Sequence, residues 1–95
     1  MSLEALVSKY IDSATHVFET METIEEQVIL YGDNVKKVVE SARSYLEDAE
    51  YFRNAGRLEV SLTSVAYCEG LLDALRLLGA VRFEWPSRAE VKRKE

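Results

Sequence analysis

Hydrophobic positions recur at steps of three and four in three separate stretches of the chain, the period of a helix that buries one face. In the first, Leu3, Val7, Tyr10, Ala14, Val17, Met21, Ile24 and Val28 follow one another at steps of four and three without a slip, a heptad seam more than three repeats long. This predicts a helix over about 3–29, with Ser2 as its N-cap. Leu6, Ile11 and Phe18 widen the apolar side beyond a two-stranded seam, which suits insertion into a groove between two helices better than a free coiled coil. Thr23-Ile24-Glu25-Glu26 has the spacing of a capping box, so a break between Thr20 and Thr23 competes with a continuous helix.

The second stretch places Val35, Val38, Val39, Ala42, Leu46 and Ala49 on one stripe, flanked by Tyr45 and Phe52. A turn at Gly32, with Asp33 or Asn34 as N-cap, opens this helix, and Asn54-Ala55-Gly56 closes it, because glycine turns left-handed at little cost. So short a connection forces the third helix, about 57–78, to run back antiparallel. Its apolar positions, Val60, Ser64, Tyr67, Cys68, Leu71, Leu72, Leu75 and Leu78, cover an arc broad enough for two neighbours, and Gly79 ends it. After Gly79 the helical period is lost. Alternation through residues 80–86 and the proline at 86 predict an extended segment that lays Val81, Phe83 or Trp85 across the helices. Ser87-Arg88-Ala89-Glu90 then has the spacing for a final helical turn. The pattern as a whole predicts an all-α, three-helix up-down-up bundle over 1–79 (helices about 3–29, 34–54 and 57–78) and a short extended C-terminal segment with a basic end over 80–95.

Tyr45, Glu47-Asp48-Ala49, Tyr51-Phe52, Gly56, Ala66-Tyr67, Gly70, Leu72-Asp73-Ala74 and Leu78-Gly79 resemble the hairpin of a small, mainly archaeal helical family, domain of unknown function 357. The resemblance covers the last two predicted helices, with only generic helical similarity before them. It implies a compact three-helix domain and no established activity. Relatives tend to carry a histidine and a tryptophan around the second glycine, where this chain has Glu69 and Leu71, so no role is carried over for those positions.

Length limits what the chain can do. Ninety-five residues make one domain with a single core. One proline, four glycines and 47% hydrophobic residues favour a helical globule. A lone cysteine, Cys68, on an apolar arc fits a reducing cytoplasm. No apolar run approaches a membrane span, and the start lacks the charged-then-apolar order of a secretion signal. Few side-chain amides among many Glu, Lys and Arg lean toward a thermophilic source.

Net charge is −5, unevenly placed: residues 1–79 hold 7 Lys/Arg against 14 Asp/Glu, and residues 80–95 hold 5 against 3. An acidic body repels nucleic acid and anionic membrane. Only the end, Arg88 with Lys92-Arg93-Lys94, offers a nucleic-acid contact, and a charged tail that aids solubility accounts for it more simply.

Catalytic chemistry is thin. One histidine, His16, has no acid or nucleophile at helical spacing beside it, and one His with one Cys excludes the usual zinc sites. Di-iron bundles need two Glu-x-x-His pairs, which are absent. A chorismate mutase-like site is excluded because Lys9 is the only basic residue before Lys36. The sharpest catalytic hypothesis is a carboxylate magnesium site of a small hydrolase or nucleotide-binding protein, with Asp48 on the second helix facing Glu69 and Asp73 on the third. Against it, Arg76 is placed to pair with Asp73 on a solvated face, and no cofactor is expected. Tyr10, Tyr31, Tyr45, Tyr51 and Tyr67 with Phe18 and Phe52 read as core and boundary packing. Tyr51 and Leu77 point away from their stripes, and with Phe83 and Trp85 they are the candidate partner-binding residues. The leading expectation is a non-enzymatic protein-interaction or self-associating module.

Overall fold

The computed structural model describes residues 2–24 and 26–87. It contains three helices and, among the described residues, no strand: α1 (Leu3–Thr20), α2 (Gly32–Asn54) and α3 (Leu58–Leu77). The all-α reading of the periodicity holds.

Helices α2 and α3 fold back on each other as an antiparallel hairpin. Their ends are built alike. At the end of α2 the Gly56 N–H donates to the Arg53 carbonyl at 3.1 Å and the Arg57 N–H to the Phe52 carbonyl at 2.8 Å. At the end of α3 the Gly79 N–H donates to Arg76 at 3.0 Å and the Ala80 N–H to Leu75 at 2.9 Å. Both are Schellman closures, which need a left-handed residue, and Gly56 and Gly79 supply it at φ 76° and 78°. The Arg57 guanidinium lies 5.4 Å from the Phe52 ring centre, where an apolar contact usually completes the motif.

The hairpin interface follows the anticipated stripe except at Leu46, Tyr67 and Leu78, which are exposed because, among the described residues, α2 and α3 have no helical neighbour but each other. Ala42 and Ala49 of α2 and Cys68 and Leu75 of α3 are buried, with Val35, Val38, Val39, Phe52, Val60, Leu71 and Leu72 half-buried around them. Two alanines at the centre let the helix axes approach. Close approach also allows the Ser61 hydroxyl to donate to the Ala49 carbonyl across the interface at 2.6 Å. Tyr45 and Tyr67 meet across the helices with ring centres 4.4 Å apart.

Helix α1 departs from expectation in two ways. It ends at Thr20 rather than near residue 29, so the break wins over continuous helix and residues 21–31 connect α1 to α2. Ser2 does cap its start, the hydroxyl accepting from the Ala5 N–H at 3.1 Å. Its end has no glycine, and Glu19 in the last turn opposes the helix dipole, with no basic residue there to offset it. The second departure is one of packing: among the described residues α2 and α3 are the only helices that touch, and no residue of α1 is buried. The groove that α1 was expected to fill is uncovered by its own chain. A smaller correction falls at the start of α2, where Tyr31 occupies the N-cap without a side-chain bond and Gly32 is already helical.

Beyond Gly79 the chain bends at Ala80 and Val81, residues 82–87 are neither helix nor strand, and Trp85 lies back against Asp73 of α3. The turn proposed from Ser87-Arg88-Ala89-Glu90 and the basic end lie outside the described residues.

Candidate interaction surface

Around α1 the side chains at positions 3, 6, 7, 10, 11, 14, 17 and 18 are apolar and fill one continuous side of the helix, while every charged side chain lies on the other. On that side Leu3, Tyr10, Ile11 and Phe18 are exposed to 76, 64, 60 and 75%. Water does not favour such a face, and monomeric soluble proteins rarely leave one of this extent open. The apolar character continues through the connection, where Met21, Ile24, Val28, Ile29, Leu30 and Tyr31 are all exposed.

A matching deficit exists on α3. From Val60 to Cys68 it carries no charged residue, its only polar side chains being the small hydroxyls of Ser61, Thr63 and Ser64 beside the Tyr67 phenol. Here α2 covers only one side, leaving Leu62 and Tyr67 exposed. Beside the α2 contact a shallow groove runs between the helices, lined by Lys37, Val38, Ser41, Tyr45, Tyr67 and Leu71.

The far flank of α3 is covered differently. One oxygen of Asp73 accepts from Arg76 Nε at 3.1 Å, from an Arg76 terminal nitrogen at 2.7 Å and from Trp85 Nε1 at 3.1 Å. Phe83 stacks edge-on against Trp85 at 4.9 Å, and the Arg76 guanidinium lies 6.0 Å from the Phe83 ring. The returning segment is thus pinned to α3 through an indole that needs an acceptor and finds a carboxylate. The Trp85 hydrogen bond, and after it that from Arg76, holds the Asp73 carboxyl below its ordinary value. Spacing alone had suggested Arg76 as the partner of Asp73; the signal for Trp85 was the left-handed Gly79, which turns the chain back toward the residue one turn before Arg76.

The three carboxylates considered for magnesium do not converge. Asp48 borders a cleft with Lys37, Glu40, Ser41, Ser44 and Tyr45, whereas Glu69 and Asp73 border another with Gly70 and Trp85. Among the described residues no three His, Cys, Asp or Glu side chains gather as a metal would require. Nor do the candidate partner-binding residues form one patch. Tyr51 sits near the turn, packed edge-on against Phe52, while Leu77 ends α3 at the opposite end of the hairpin, roughly 25 Å away by helix rise. Phe83 and Trp85 gather at the Leu77 end. Arg88, Lys92, Arg93 and Lys94 lie outside the described residues.

Cys68 is buried in the hairpin interface, where burial first and the neighbouring Glu69 second push its thiol above the usual range. Such a thiol is a packing group rather than a nucleophile. Among the described residues no helix is long and apolar enough to cross a membrane.

A glycine-closed helical hairpin, preceded by an amphipathic helix it does not cover, defines a small all-α protein of the helical-bundle class. Its sequence belongs to the family of proteins of unknown function DUF357, whose model matches residues 9–81. That match begins inside α1, so the likeness extends further toward the N-terminus than the hairpin residues alone suggest. Neither the comparison with curated proteins nor that with solved structures returns a match.

Proposed function

We propose that this chain is a non-enzymatic protein-interaction module whose docking element is the apolar face of α1. The observation that carries the reading is that no residue of that face is buried, beside a hairpin that leaves Leu58, Leu62 and Tyr67 exposed. An 18-residue helix without tertiary contacts is marginal in water, so α1 gains its stability from whatever it docks on. A hydrolase built on Asp48, Glu69 and Asp73 finds no comparable support, because the carboxylates border separate clefts and Asp73 is engaged by Arg76 and Trp85. Burial of the single cysteine supports a reducing, cytoplasmic setting, and the few side-chain amides support a thermophilic source, in keeping with the mainly archaeal family that the hairpin resembles.

Hydrogen exchange of the full chain tests the reading. In dilute solution the α1 amides are expected to exchange near coil rates while those of α2 and α3 stay protected, with α1 becoming protected on association. Strong α1 protection in a chain that remains monomeric at every concentration would show the face covered from within and overturn it.

A further inference from the structure

We propose that the occupant of the uncovered groove is α1 of a second copy of this chain, the two copies exchanging first helices; this rests on the docking role of α1 argued above. Three observations point to a second copy rather than to an unrelated partner. First, the chain alone is under-buried by an amount an exchange would relieve. It exposes 8719 Å² at a mass of 10.8 kDa, against about 5,500 Å² for a folded monomer of that size. Relieving even half of the excess in each of two chains reaches the ~2,000–5,000 Å² range of obligate homodimers.

Second, cover and groove match. The 18 residues of α1 span about 27 Å and the 20 of α3 about 30 Å, so one helix runs the length of the other. On the Tyr45–Tyr67 side the hairpin offers a groove lined by Lys37, Val38, Ser41, Tyr45, Tyr67 and Leu71, whereas the Asp73 flank is occupied by Phe83 and Trp85.

Third, the connection argues for crossing between chains. A loop that merely folds α1 back onto its own hairpin stays on the surface and is polar. Residues 21–31 instead expose Met21, Ile24, Val28, Ile29, Leu30 and Tyr31. In an exchanged pair the two connections run beside each other at the dyad and bury these side chains mutually, which a self-docked monomer cannot do.

The test uses the full chain, as an equal mixture of ¹³C-labelled and unlabelled copies, with the mass read by light scattering. A particle of twice the 10.8 kDa chain mass, and isotope-filtered contacts from Val7 and Leu6 methyls to the Tyr45 and Tyr67 rings of the other copy, are expected. Val7→Asp alone and Tyr67→Asp alone should each weaken association at least tenfold. Mixing the two variants should restore much of it, because that pair keeps one intact helix and one intact groove. Circular dichroism of each variant checks that the hairpin remains folded; Val7 touches nothing in it. Contacts confined to one chain in a monomer overturn both the exchange and the docking role of α1. A monomer with α1 unprotected, or a dimer joined α1 to α1 without restoration on mixing, overturns the exchange and leaves the docking role standing.

Discussion

Asp73 does more than the salt bridge its spacing to Arg76 suggests, because the same oxygen also receives the Trp85 indole. Its carboxyl is held below the ordinary carboxylate value of about 3.9, first by Trp85 and then by Arg76. A group lowered in the folded state binds its proton less readily there than in the unfolded chain. Its contribution is therefore complete above pH ~4 and is lost as pH falls through the lower folded value. Since Trp85 is the only tryptophan, its fluorescence reports the contact directly. Emission should hold steady from pH 7 to about 4 and change in more acid solution, and Asp73→Asn should show the altered emission already at pH 7. An Asp73→Asn chain with the same emission and the same acid profile as the parent would remove the carboxylate from the account. Asp73 was first read as a metal candidate because carboxylate spacing on a helix is visible in a sequence, whereas an indole twelve positions on becomes a partner only once Gly79 has reversed the chain.

Glycines separate the demands of the two closures from those of the helix between them. Gly56 has φ 76°, where any Cβ is strained, while Gly70 has ordinary helical backbone and an added Cβ would meet nothing within 4 Å. Gly56→Ala should therefore cost roughly 1–2 kcal/mol, and Gly70→Ala should add roughly 0.5–1 kcal/mol by removing backbone freedom from the unfolded chain. Urea denaturation followed by circular dichroism reads both, and equal signs for the two would contradict this division. Helices α2 and α3 were legible almost to the residue because their ends carry glycine and their stripes, from Val35 to Ala49 and from Val60 to Leu75, meet each other. The first helix was not, because its seam runs on past Thr20. A heptad pattern tells which residues share a face if the chain is helical; it does not tell where an unsupported helix stops being worth forming.

The dimensions of the chain are in keeping with the exchange proposed above. Its radius of gyration is 16.5 Å, where a compact domain of 95 residues has about 12 Å. Among the described residues the buried apolar side chains are Ala42, Ala49, Cys68 and Leu75, three of them small, which is a slender core for independent stability. If association completes that core, stability depends on mass action. Tm should rise with protein concentration, by several degrees for each tenfold, where a self-contained monomer gives one value throughout. Calorimetry at two concentrations a hundredfold apart decides it.

Periodicity and punctuation in the amino-acid order were enough to establish three amphipathic helices, the hairpin between the second and third, its glycine closures and the return of the C-terminal segment, because those follow from local backbone preference and from which side chains avoid water. They also showed that the first helix carries a continuous apolar face. Where that face lies relative to the hairpin was a question of distance, and only the tertiary structure answered it: among the described residues α1 touches neither α2 nor α3. An apolar face specifies that it must be covered, but hydrophobic attraction has no direction, and only the path of residues 21–31 decides which surface comes within reach.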